Sequence, residues 1–181
     1  MINTPIIDFH AHGGLWGRYG VIDNPKLFLK LMNSTGIDKA CINSIYFGDA
    51  HRANNLVYDR FVTKFPDRFI GVAFVTPHYP KETIKELERC FNNLQFKFLK
   101  LYPAYFGKPS DHDQYTHIYE WANEKKIPIM SHAKDPADPK NINILENDDR
   151  VSIIMENFKR EKYKKFIRSF DINLFIINMP A

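Results

Sequence analysis

Short apolar runs alternate with helix-like segments from one end of this chain to the other, and that rhythm restricts the fold more than any other feature. The runs predict strands over 6–12, 39–45, 69–75, 96–102, 127–132 and 173–178. Several are apolar on both faces, as strands covered on both sides must be. Asn24 followed by Pro25 reads as a helix N-cap and first residue, Leu27, Phe28, Leu31 and Met32 form a stripe, and Gly36 closes the helix. A second helix carries Val57, Phe61 and Phe65 four residues apart and stops at Pro66. Ile84, Leu87, Phe91 and Leu94 mark a third, Tyr115, Ile118, Tyr119 and Ala122 a fourth, and Tyr163, Phe166, Ile167 and Phe170 a fifth. About six strands and five helices in strict order predict parallel βαβ units in one α/β domain over residues 1–181. The prolines and aspartates of 135–149 predict a long loop after the fifth strand, at the sheet end where α/β proteins place their sites.

The 181 residues, 44% of them apolar, can fill one sizeable core, which excludes disorder and fibrous repeats. The net charge of +4 resides wholly in segment 156–168, and the rest of the chain is balanced. Lys164, Lys165 and Arg168 fall away from the apolar side of the fifth helix, so this run reads as a solvated face rather than a nucleic-acid surface. Cys41 and Cys90 lie far apart with no CxxC, which points to a reducing, cytoplasmic setting. The longest apolar stretch, 69–75, is far too short to span a bilayer, and no leader pattern opens the chain, so neither targeting nor membrane anchoring is expected.

Chemistry concentrates at the predicted strand ends. Asp8-Phe9-His10-Ala11-His12 closes the first strand, and alternation sends Asp8, His10 and His12 to one face and Phe9 and Ala11 to the other. Two imidazoles at that spacing can converge on one metal ion, although two ordinary half-buried histidines give the same pattern. Gly13 and Gly14 let the backbone turn away without crowding the mouth. His132 ends the fifth strand, and parallel strands bring their C-terminal ends to one side. Three histidines there are candidates for holding Zn²⁺ or a similar ion, with positions open for water and substrate. Lys100, near the end of the fourth strand, shares a face with Phe96 and Phe98. Either its ammonium points into an apolar interior, where a lowered pKa makes it reactive, or it faces a helix and its head reaches solvent. His78 and Tyr102 follow the third and fourth strands and are candidates for lining a substrate pocket, whereas His51, His112 and His117 fall where surface or capping roles are expected.

Together, IIDFHAH (6–12), FPDRFIGVAFVTP (65–77), KLYP (100–103) and IPIMSHA (127–133) make the chain resemble the amidohydrolase superfamily. Within it, the resemblance is to the amidohydrolase-related, aminocarboxymuconate-semialdehyde-decarboxylase-like branch, and PDRFIG before the third strand is its most discriminating part. The resemblance implies a distorted (β/α)₈ barrel with a mononuclear or binuclear centre at its C-terminal face. It implies that His10, His12 and His132 are metal ligands and that Lys100 matches a lysine carboxylated in some members to bridge two metals. The implied ion is zinc, with manganese or iron as alternatives. An eight-stranded barrel takes about 250 residues, and the family's Gly-His after strand six is replaced here by Asn178 and Met179. The chain is therefore expected to be a partial (β/α)₈ barrel without the last two βα units and the aspartate of strand eight, so no catalytic residue is assigned.

Three functions remain open on these grounds. The first is a metal-dependent, amidohydrolase-type hydrolase acting on a small carboxylate or cyclic amide through a metal-activated water, with decarboxylation as its lyase counterpart. The second is a truncated, catalytically inactive relative that binds metal or a small ligand. The third is an α/β interaction protein with incidental histidines. The open sheet edges of a partial barrel predict a second copy or a partner chain to cover them.

Overall fold

The computed structural model describes residues 5–14, 24–46, 48–106, 108, 112–132 and 174–177. Their contacts divide into two compact units, Met1–Phe74 with Glu86–Lys97, and Val75–Lys85 with Phe98–Ala181. In chain order the elements are β1 (Ile7–His12), α1 (Pro25–Thr35), β2 (Lys39–Asn43), α2 (Ala50–Val57) and β3 (Phe69–Phe74). They continue with α3 (Pro80–Asn92), β4 (Phe98–Leu101), α4 (Thr116–Lys125), β5 (Ile129–His132) and β6 (Leu174–Ile177). All six strands fall within two residues of their expected limits. The fifth helix and the 135–149 loop lie outside the described residues.

In the first unit, β2 pairs in parallel with both β1 and β3, and Ala40, Cys41 and Ile42 are buried at its centre. Helix α1 begins where the Asn24 side chain accepts a hydrogen bond from the Leu27 amide at 3.2 Å, and ends at Gly36 with φ 73°. It packs through an i, i+4 pair, Met32 being fully buried and the Phe28 ring standing 5.6 Å from that of Phe69. Leu27 and Leu31, expected in the same stripe, are instead 50% and 58% exposed, so the buried face is narrower than the sequence pattern.

Helix α2 does not run on as an α-helix to Phe65. It widens into a π-helical turn over Tyr58–Val62, closed by a Thr63 N–H to Tyr58 O bond of 2.9 Å. Val57 and Phe61 both stay in the core across this turn, where each is at most 1% exposed.

In the second unit β5 pairs in parallel with β4 and β6, Lys100 lying opposite Met130 and Leu101 opposite Ser131. Helix α4 buries Ile118, Tyr119, Trp121 and Ala122 and is closed by Lys126 in the left-handed region. Among the described residues no helix is long and apolar enough to cross a membrane.

Candidate functional site

The histidine pair is presented by an irregularity in β1. Asp8 pairs with Ala40 and Ala11 with Ile42, so β1 advances three residues where β2 advances two. This is a β-bulge with one extra residue in β1. Ala40 and Ile42 share a face, which puts Asp8 in register with the Ala11 face and removes it from the histidine set that strict alternation predicts. The Asp8 carboxylate accepts a hydrogen bond from the His10 amide at 3.0 Å, a local clasp that supports the bulge. Opposite, burial pushes the Cys41 thiol up to about 12, with the Asp8 charge adding to it.

His10 and His12 are both half-buried, with ring centroids 4.7 Å apart and planes at 70°. His10 Nε2 and His12 Nδ1 are shielded from solvent. Beyond them the chain needs its two glycines. A Cβ on Gly13 would come within 2.8 Å of the Phe61 ring, and Gly14 has φ +100°. Gly13 also donates to the Asn43 carbonyl at 2.8 Å, tying the turn to the end of β2.

In the second unit, Lys100 is completely buried and its amine has no hydrogen-bond partner among the described residues. Of the two orientations open to it in the sequence, the structure takes the interior one. Nζ lies 5.0 Å from the Tyr102 ring centroid, a contact that stabilises a cation only partly, and burial lowers the amine pKa to about 7. Tyr102 is itself 1% exposed and rests 5.4 Å from the Tyr105 ring, so it underlies the amine rather than the rim of an opening. His78 is exposed and meets the Phe106 ring edge-on at 5.1 Å. The backbone of His132 ends β5, opposite Ile177 and two residues beyond the partner of Lys100. Its side chain lies outside the described residues.

The structure thus brings His10 to His12 in one unit and Lys100 to Tyr102 in the other. The donor chemistry suits a borderline or hard divalent ion, since neutral imidazole binds such metals and an amine near neutrality has a lone pair to offer. Two imidazoles are fewer than the three protein ligands of a catalytic zinc site. Among the described residues no group of three His, Cys, Asp or Glu side chains is gathered to hold an ion.

Of the remaining histidines, His112 caps a short turn by accepting from the Gln114 amide at 3.2 Å, and His117 has a pKa lowered by burial. His51 lies 3.0 Å from Glu86. That contact belongs to a network the sequence reading missed. The Asn54 amide bonds both backbone groups of Phe74, at 2.8 and 2.9 Å, and donates to Glu86 at 2.8 Å. Arg89 clasps the same carboxylate through two bonds of 2.9 and 2.7 Å. Burial alone would raise the Glu86 pKa, but the bonds from Arg89, Asn54 and His51 hold it down at about 2. The network fixes the C-terminal end of β3. The Glu86–Arg89 spacing of three on one helix was its only signal in the sequence.

Residues 7–154 match the profile of the amidohydrolase family. A comparison with curated proteins returns no match. Solved structures with this fold include 4-oxalomesaconate hydratase from Rhodopseudomonas palustris, at 24% identity and a TM-score of 0.64, covering 94% of this chain and 62% of that one. Another is 5-carboxyvanillate decarboxylase from Novosphingobium aromaticivorans with bound manganese, at 22% identity, a TM-score of 0.62, and 79% and 56% coverage. A third is a TIM-barrel protein from Bordetella bronchiseptica, at 14% identity, a TM-score of 0.62, and 96% and 74% coverage. The fold class is a partial (β/α)₈ barrel, and the chain spans less than two thirds of the length of the two enzymes.

Proposed function

The chain belongs to the amidohydrolase family, and from that premise we propose that residues 1–181 form one amidohydrolase-related domain of a metal-dependent hydrolase. His10, His12 and His132 hold a divalent ion, zinc in the first instance and manganese or iron otherwise, with Lys100 as a further ligand. The observation that carries this reading is the His10–His12 pair, rings 4.7 Å apart at the C-terminal end of a parallel strand. A divalent ion supplies the charge that acidifies a water or polarises a carboxylate near neutral pH. His10 and His12 offer nitrogens already shielded from competing water. Lys100 is held largely without charge above pH 7 by its dry surroundings, so that it neither repels a cation nor needs a counter-ion.

The substrate is a small molecule, a carboxylate or cyclic amide, with the exposed His78 on its side of the site and Tyr102 acting only beneath Lys100. Decarboxylation is the second reading, supported by likeness to a decarboxylase with bound manganese, and manganese is the ion on that reading. The protein works in the cytoplasm, where the buried thiols of Cys41 and Cys90 stay reduced, and takes no nucleic acid. A second copy or a partner chain covers its sheet edges. The test is elemental analysis of the purified chain together with turnover of amides, lactones and aromatic acids. Near-stoichiometric metal, lost together with turnover in the His10→Ala, His12→Ala variant, is the expected result. Metal without turnover makes the chain a silent relative, and absence of metal defeats the proposal.

A further inference from the structure

A groove of about 610 Å³ opens in the first unit, away from the histidine pair. Lys39 and Phe69, the first residues of β2 and β3, line it. His12 pairs with Asn43 at the other end of β2, four residues and about 13 Å of strand from Lys39. No residue assigned to the metal lies at this end.

The lining is one-sided in charge. Lys39 and Lys97 both border the groove and no aspartate or glutamate does. Neither lysine forms an ion pair among the described residues. Beneath them the surface is apolar, with Val62 and Ile70 half-buried and Pro66 exposed, while Tyr58 and Thr63 bring hydroxyl groups. Both hydroxyl residues come from the π-helical turn and its closing residue, a geometry frequent at functional sites. Gln95, also on the groove, has a left-handed φ of 54°.

We infer that this groove binds a small organic anion, its charged head at Lys39 and Lys97 and its flat apolar body against Val62, Pro66 and Ile70. Carboxylate and phosphate heads share this chemistry. Calorimetric titration of the full chain with benzoate, phenyl phosphate and inorganic phosphate separates them. At least one aryl anion saturates a single site with a Kd of about 1 mM or tighter. Inorganic phosphate binds at least about fivefold more weakly, because it leaves the apolar floor uncovered. Lys39→Ala with Lys97→Ala weakens the aryl anion about tenfold, as loss of two partly solvated charge contacts should. Thr63→Trp, which fills the groove and keeps both lysines, abolishes binding, while His10→Ala with His12→Ala leaves it within about twofold. The inference is overturned if neither aryl anion saturates, or if binding survives both the lysine pair and Thr63→Trp unchanged. Loss in the histidine variant with retention in the lysine variant also overturns it.

Discussion

Strands β1 and β4 both carry nitrogen donors at their C-terminal ends, and they prepare them in opposite ways. At β1 the donors are imidazoles, half-buried, carried past a bulge and followed by two glycines that keep the exit clear. At β4 the donor is an amine with no exposed surface, set over a phenol ring. Histidine is a ligand at neutral pH by its own chemistry and needs only placement. Lysine offers a lone pair only when its surroundings favour loss of the proton, and here burial lowers the amine pKa to about 7. The bulge therefore matters at one end and dryness at the other.

The largest expected effect separates the two ends by metal affinity. His10→Ala with His12→Ala lowers it by at least about 100-fold, whereas Lys100→Met lowers it by about tenfold or less. Competition with a chromogenic chelator reads both, and equal losses would erase the distinction between the ends. Next comes stability without metal. Between pH 7 and 10.5 the unfolded chain binds a proton at Lys100 that the folded chain does not, so stability rises with pH across that window. Lys100→Met abolishes that slope and stabilises the chain at pH 7 by an amount on the order of a few kcal/mol. Urea unfolding at pH 7 and pH 9 measures it, and an unchanged slope would mean that the amine is not the dry group.

Smaller effects test the bulge. Gly14→Ala, at φ +100° with the Ser44 hydroxyl 2.8 Å from where a Cβ would sit, costs about 1–2 kcal/mol in the same unfolding assay. Asp8→Asn keeps an oxygen for the His10 amide, so it changes stability by less than about 0.5 kcal/mol and leaves metal content unaltered. A variant that lost its metal would make Asp8 a ligand beside the two histidines.

The strands were legible because β-branched and aromatic runs bounded by turn residues leave little choice, and Asn24, Pro25 and Gly36 mark α1 through local capping chemistry. Lys100 was legible only as a choice between two orientations, since a strand apolar on both faces does not say which one holds the deeper core. The bulge was not read, although an aspartate two residues before His10 is the local signal for such a clasp. Strict period 2 was assumed where one side-chain bond breaks it. The π-helical turn after α2 and the Asn54–Glu86 network depend on how helices meet β3, a tertiary fact that no single-helix pattern contains.

Thermal melting of the 181-residue chain with and without added Zn²⁺ or Mn²⁺, run beside the His10→Ala, His12→Ala variant, tests the histidine pair most directly. An ion at about 100 times its Kd adds about 2.7 kcal/mol, which for a chain of this size raises Tm by roughly 5–10 °C. That rise is expected in the wild-type chain and not in the variant. A rise of equal size in both, or in neither, contradicts that expectation.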